Sequence, residues 1–426
     1  MSSSSRLLDR RNRLLGPYAP LFYDEPLHLV RGQGVWLYDV DGRRYLDAYN
    51  NVPHVGHAHP HVVEALIRQA GLLNISTRYL YDPLVDYGEK LLSTGHKSLN
   101  RALFVCTGSE ANELALRIAR HATGNSGVIV SDFSYHGNSA TLASLTTAFP
   151  AGEKWPAAAR AVPIPNPYRH EAGPEGDPAD HALLMLDRAI RSLQDSGDGV
   201  AAFLVDTLFS TEGLPSVPSD FLSKAASMIR NAGGVLIADE VQPGLGRTGK
   251  AMWGYELHNF VPDLVTTGKP MGNGHPLAMV MTRDDLADSF TRNGLFFNTF
   301  AGNPVSCAAG LAVLEVIEQE GLIENANVVG THLRDGLHAL AQKHSLIGDV
   351  RGRGLFVGVD LVKDRATCLP AASEARYIIN ELRRRGILIS KIGPGDNVLK
   401  VRPPMPFSSA NADELLAALD DTLTRI

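Results

Sequence analysis

One lysine stands out for the company it keeps. In VTTGKPMGNG, Lys269 follows an apolar run that reads as a buried strand and precedes a bed of small residues. A lysine desolvated at a strand end has its pKa lowered, and its neutral amine then attacks carbonyl groups. Lys269 is therefore a candidate for a covalent bond to an aldehyde. The alternative is a stem that snorkels its ammonium to solvent.

Three other strand ends carry chemistry. After RALFVC, residues Thr107, Gly108 and Ser109 open a helix. Its free N–H groups, its dipole and a hydroxyl suit a phosphate, though an ordinary N-cap with Glu110 in the first turn explains the same residues. After GVIVS, the run Tyr135, His136, Gly137 puts a ring where it would stack on a flat ligand or simply pack. After GVLIAD, Asp239 and Glu240 end a strongly apolar strand. A carboxylate there is costly without a cationic partner. A protonated pyridine nitrogen would serve, and so would Arg247. A phosphate cup, a stacking ring, an acid for a pyridine nitrogen and an aldehyde-binding lysine are together what pyridoxal 5'-phosphate (PLP) requires.

Two motifs point elsewhere and fail. GLGRTG (Gly244 to Gly249) matches GxGxxG and the front of a P-loop, but it follows Pro243, Ala251 stands where Ser or Thr is needed, and no amphipathic helix begins there. His54, His57, His59 and His61 crowd HVGHAHPHVVEAL, yet no carboxylate or cysteine lies at a ligand spacing. No metal is expected.

The elements that must position these groups read as an α/β fold. RALFVC, GVIVS, AAFLVD, GVLIAD and DLVTTG are short and apolar on both faces. Helical stretches such as EANELALRIARHA and SDFLSKAASMIRNA separate them. That alternation predicts a mostly parallel sheet covered on both sides, with ligands beyond the carboxyl ends of its strands. GVWLYDVDGRRYLDAY reads as a hairpin turning at Asp41-Gly42. The C-terminal stretch, with GLFVGVDLV, EARYIINELRRRG, ILIS and NVLKVRPP, reads as a smaller α+β unit. The expected division is a large cofactor-binding domain over residues 60–325 and a small domain built from 1–59 and 326–426.

Composition narrows the class. The 426 residues, 44% hydrophobic and 20% charged, suit a globular enzyme of more than one domain. A net charge of −6 and the lack of basic runs interleaved with aromatics argue against nucleic-acid binding. Three cysteines (Cys106, Cys307, Cys368), odd in number and far apart, suggest a reducing compartment. The start, MSSSSRLLDRRNRLLG, has no signal-like apolar core. No stretch approaches the ~20 apolar residues of a membrane span. A cytoplasmic location is expected.

DEVQPGLGRTG followed by MWGYELHNFVPDLVTTGKPMGNG resembles the signature of class III (omega) aminotransferases. The resemblance runs over nearly the whole chain. It implies the type I PLP fold and a homodimer with active sites at the interface. It also implies that Lys269 binds PLP covalently, Asp239 pairs with its pyridine nitrogen, Gln242 lies near its phenolic oxygen, Gly108 and Ser109 hold its phosphate, and Tyr135 stacks on its ring. Thr299, in FFNTFAGNP, would reach the phosphate of the partner's cofactor, and Arg402, in KVRPPMPF, would grip a substrate carboxylate or other anion.

A narrower stretch, LDAYNNVPHVGHAHP, is similar to the branch containing ethanolamine-phosphate phospho-lyases. That branch implies elimination of phosphate from phosphoethanolamine to give acetaldehyde and ammonia. Amino transfer to a 2-oxo acid is the alternative. After AAFLVD the chain reads DTLFSTEGLP. Many two-substrate aminotransferases carry a glutamate here that masks the arginine; direct offset puts Thr211 in its place, with Glu212 one residue on. Arg402 and Arg78 are candidate cations for the substrate phosphate. Tyr18, Asn50 and Thr77 are candidate hydrogen-bond donors to it.

Overall fold

Alternating apolar segments and turns build three sheets in a computed structural model that describes residues 3–16, 20–169, 176–294 and 296–426. The predicted N-terminal hairpin forms: β1 (Leu29–Gln33), β2 (Trp36–Asp39) and β3 (Arg44–Asp47) make an antiparallel meander. Its open edge pairs in parallel with a strand from the far end of the chain, β14 (Ile387–Leu388).

The central sheet has seven strands: β4 (Arg101–Val105), β5 (Gly127–Ser131), β6 (Ala159–Val162), β7 (Val200–Asp206), β8 (Val235–Asp239), β9 (Leu264–Thr267) and β10 (Ala278–Thr282). Their spatial order is β4-β10-β9-β8-β7-β5-β6. All neighbours are parallel except at β10, which runs against both β9 and β4. Two reversals cancel, so β4 points the same way as β9. The carboxyl ends of β4, β5, β7, β8 and β9 therefore open on one side of the sheet, the side where ligands bind in such folds.

The apolar runs explain the burial. Strands β5, β7, β8, β9 and β10 are buried at every position. One face packs on the helix Gly108–Thr123, through Leu114, Ala115 and Ile118. The other packs on helices Pro178–Asp195 and Phe221–Asn231, through Leu186, Leu222 and Ile229. Two strands escape the sequence pattern: β6 is a four-residue edge, and β10 begins only four residues after Gly274, within what reads as loop.

The third sheet joins β11 (Ile347–Arg353), β12 (Phe356–Asp364), β15 (Ser390–Ile392) and β16 (Val398–Val401), with β13 (Leu369–Pro370) beside β12. The helical region around residue 325 is two helices, Pro304–Gln319 and Leu322–Lys343, broken at Gly321. The second lies so close to the β11–β12 turn that a Cβ on Gly330 would fall 2.1 Å from the carbonyl oxygen of Gly354. No helix among the described residues is long and apolar enough to cross a membrane.

Gly330→Ala should force these elements apart and destabilise the protein by about 1–3 kcal/mol. A lowered melting temperature checks this, with the exposed neighbour Thr331→Ala as the reference. A melting temperature as high as the reference would show that the helix can move aside.

Candidate active site

Lys269 lies two residues past the end of β9 and borders a small cavity of ≈ 100 Å³. The same cavity is lined by Gly108, Ser109, Asn112, Tyr135, His136, Gly137, Asp239, Val241 and Gln242. Six of the sequence candidates thus share one cavity: Lys269, Gly108, Ser109, Tyr135, Asp239 and Gln242. Lys269 lies deep among protein atoms yet is reachable from the cavity. Burial, then the Arg402 cation, lower its pKa, while Asp239 and Asp206 oppose the shift. The shift favours the neutral amine, the form that a nucleophile or proton acceptor needs.

Asp239 is 5% exposed at the end of β8. It does not pair with Arg247. Its Oδ2 accepts from His136 Nδ1 at 2.8 Å and from Asn112 Nδ2 at 2.9 Å, and its Oδ1 accepts from the Val241 N–H at 3.0 Å. Asn112 is held in turn by Thr266, whose hydroxyl donates to Oδ1 at 2.6 Å. Arg247 instead donates to the carbonyls of Leu355 and Pro403 and meets His54 Nδ1 at 3.1 Å. Glu240 turns the other way, where the Thr207 hydroxyl and the N–H groups of Gly254 and Tyr255 donate to it at 2.7 Å each.

Both readings of the helix start hold together. Thr107 and Glu110 form a complete capping box. The cap spends the Glu110 N–H and leaves those of Gly108 and Ser109, in the first turn, outside it. The Ser109 hydroxyl donates to Asn138 Oδ1 at 3.1 Å. Gly137 permits this closeness: its φ is +145°, and a Cβ there would sit 2.6 Å from Ser109 Oγ. Tyr135 leans on Phe149, with ring centroids 5.4 Å apart. These features fit PLP, with N–H donors for its phosphate, a ring beside it, a held carboxylate for its nitrogen and an accessible lysine.

Arg402 continues β16. Its guanidinium donates to Gln242 Oε1 and, at 3.4 Å, to the Tyr49 carbonyl. It has no carboxylate partner among the described residues. Thr211 and Glu212 are both buried, and neither pairs with it; Glu212 accepts from the Ser131 hydroxyl instead. Lys400, two residues before Arg402, donates to the same Gln242 oxygen at 3.2 Å.

The remaining candidates lie apart from this cavity. The Asn50 amide nitrogen is committed to the Asp47 carboxylate, at 3.1 Å from each oxygen, so it is not the free donor expected. Thr77, Arg78 and Thr299 are exposed. Arg78 stacks on Phe297 at 4.0 Å, and Tyr81 binds the Gly302 carbonyl at 2.7 Å, so the segments around 78 and 299 adjoin. Tyr18 lies outside the described residues. The four clustered histidines go to separate partners: His54 to the Leu245 carbonyl, His57 to Asp47, His59 to Glu320 and His61 to Glu315.

Three residues at the site went unassigned in the sequence. Asn112 left a signal, as a polar residue on the otherwise apolar face of its helix. Lys400 left another, since it alternates with Leu399 and Val401 beside Arg402. His136 was noticed only as a neighbour of Tyr135.

Several known proteins are similar to this chain. The family model described as Aminotransferase class-III matches residues 22–423. An alanine–glyoxylate aminotransferase 2-like protein of Drosophila melanogaster is 40% identical over 100% of this chain and 88% of its own length. An ethanolamine-phosphate phospho-lyase homolog of Caenorhabditis elegans is 39% identical over 99% of this chain and 94% of its own. Among solved structures, a phospholyase from Arthrobacter in complex with phosphoethanolamine is 50% identical, with a TM-score of 0.96 over 99% of this chain and 100% of that one.

Burial, with Asp206 adding to it, pushes the Glu212 carboxyl up to about 8, against an ordinary ~4.3. The folded state keeps a proton that the unfolded chain gives up. The stability this provides is whole below the ordinary carboxylate range and is lost as pH rises through about 8. Glu212→Gln, neutral throughout, should flatten the fall in melting temperature between about pH 5 and 8. Equal slopes for the two proteins would mean that the buried carboxyl is ionised.

Proposed function

The chain belongs to the class-III aminotransferase family of type I fold, PLP-dependent enzymes, and from that premise we propose that it is a phospho-lyase. It eliminates phosphate from O-phosphoethanolamine and yields acetaldehyde, ammonia and phosphate. One observation carries the reading: the buried Arg402 guanidinium bonds Gln242 of the cavity wall and has no carboxylate to mask it among the described residues. A cation left open suits an enzyme whose substrate always brings an anion. The likeness to the Arthrobacter phospholyase solved with phosphoethanolamine supports the same choice.

In this proposal Gly108 and Ser109 would hold the PLP phosphate, Tyr135 would lie beside its ring and Gln242 near its phenolic oxygen, and Asp239 would keep its nitrogen protonated. PLP, when bound, supplies an electron sink for the carbon next to the substrate nitrogen. Lys269 takes the proton from that carbon as a neutral amine, consistent with its lowered pKa. Arg402 holds the phosphate on the adjacent carbon. The C–O bond breaks with its electron pair leaving on phosphate, the two carbons become doubly bonded, and water hydrolyses the resulting enamine to acetaldehyde and ammonia. His136, Asn112 and the Val241 N–H position the Asp239 carboxylate throughout. Amino transfer is the second reading, favoured by the name of the Drosophila relative; Lys269 and Asp239 would serve it equally.

A second copy of the chain completes the site in this proposal. Thr77, Arg78 and Thr299 lie with Leu72, Tyr79, Leu80 and Phe300 in the two adjoining exposed segments, and Leu80 is fully exposed. An apolar surface of this kind marks an association site. It borders the helix start at Gly108, since Asn298 Nδ2 donates to Glu110 at 3.3 Å.

PLP-loaded protein given phosphoethanolamine and no keto acid should release acetaldehyde and phosphate in equal amounts over many turnovers. Release only when pyruvate or 2-oxoglutarate and another amine are supplied would make it an aminotransferase. Light scattering should find twice the mass of one chain, and a Leu80→Glu, Phe300→Glu variant should fall to a single chain and lose activity. A wild-type monomer with full activity would remove the shared site.

A further inference from the structure

Two buried basic side chains meet at one neutral acceptor beside the cleft. Lys400 and Arg402 leave the same face of the β16 segment and are each 5% exposed. Both donate to Oε1 of Gln242, a residue of the cavity wall. Both border the Phe356 ring, with Lys400 Nζ at 5.3 Å and the Arg402 guanidinium carbon at 5.4 Å from its centroid. Neither has an ion pair among the described residues. Two carboxylates act on Lys400 from a distance, but Asp206 is engaged by the Leu208 N–H and Glu212 by Ser131. Burial, reinforced by Arg402, pushes the Lys400 pKa well below its usual value.

Buried charge without a counter-charge is strongly unfavourable. A substrate carboxylate would supply a counter-charge for one of these side chains, whereas a phosphate dianion would supply one for each and favour the protonated form of Lys400. The two side chains also differ in what they offer: Arg402 presents a planar fork and Lys400 a compact point charge.

We propose that Lys400 and Arg402 form a dianion site and that Lys400 is the specificity-determining residue that separates phosphate-bearing amines from carboxylate-bearing ones. The identity of the substrate rests on the phospho-lyase reading; the preference for a dianion is measurable without it. On substrate binding Lys400 exchanges its bond to Gln242 for one to a phosphate oxygen.

Inorganic phosphate is the probe, titrated calorimetrically into PLP-loaded wild type, Lys400→Met and Lys400→Arg. β-Alanine, an amine with a single negative charge, is titrated against the cofactor absorbance in the same proteins. Lys400→Met should bind phosphate about ten to a hundred times more weakly, the loss expected for one hydrogen bond to a charged group. It should bind β-alanine as wild type does, and Lys400→Arg should keep most of the phosphate affinity. For phosphoethanolamine, KM should rise much more than kcat falls. If Lys400→Met fails to fold, Lys400→Gln removes the charge while keeping a donor toward Gln242. Undiminished phosphate binding would overturn the proposal. So would an equal loss of phosphate and β-alanine, which would make Lys400 only a prop for Gln242. A wild type that never releases acetaldehyde, combined with selective loss of phosphate in Lys400→Met, would sink the phospho-lyase reading and leave the dianion site standing.

Discussion

A carboxylate at the end of a buried strand has to be surrounded by donors, and Asp239 obtains them from three parts of the chain. Asn112 comes from the helix after β4, His136 from the loop after β5, and the Val241 N–H from the chain just beyond β8. Those three segments also bring Ser109, Tyr135 and Gln242 to the cavity. The bonds that hold one acid therefore fix the relative positions of the groups around it. Thr266, on β9, extends the chain of bonds to the strand that ends beside Lys269.

Electrostatics divides the cleft into two zones. Around Asp239 a negative charge is supplied with donors. Around Gln242, the basic side chains of Lys400 and Arg402 share one neutral acceptor. Arg247, equally buried, belongs to neither zone: burial, with Arg402 adding, pushes its pKa down to about 9, and it binds backbone carbonyls where β12 and the chain after β16 meet.

Much of this was legible in the sequence, because the cues are local. Period-free apolar runs gave β5, β7, β8 and β9, and the residue after each run was the one to inspect. The antiparallel β10 was not legible, since a reversal of direction leaves no mark in five apolar residues. Partners across space were also hidden. Nothing in DEVQPGLGRTG shows that Asp239 turns to His136 while Arg247 turns to His54. Asn50 reads as a free donor because nothing in the sequence shows that Asp47, in the same turn, claims its amide. The histidines of HVGHAHPHVVEAL looked like a cluster in one dimension, but the helix beginning at Pro60 and the loop before it send them to separate partners.

The reversed strand also bears on how the chain finds its fold. Ten residues, 268–277, separate β9 from β10, and Met279 pairs directly with Thr267. Each parallel pair in this sheet needs a much longer crossover before its first contact forms. Closing a short loop costs less chain entropy than closing a long one, and contacts of low sequence separation form fast. The β9–β10 hairpin can therefore assemble before the crossovers are complete, which would place Lys269 on the earliest ordered piece of the sheet, with the rest of the cleft built around it.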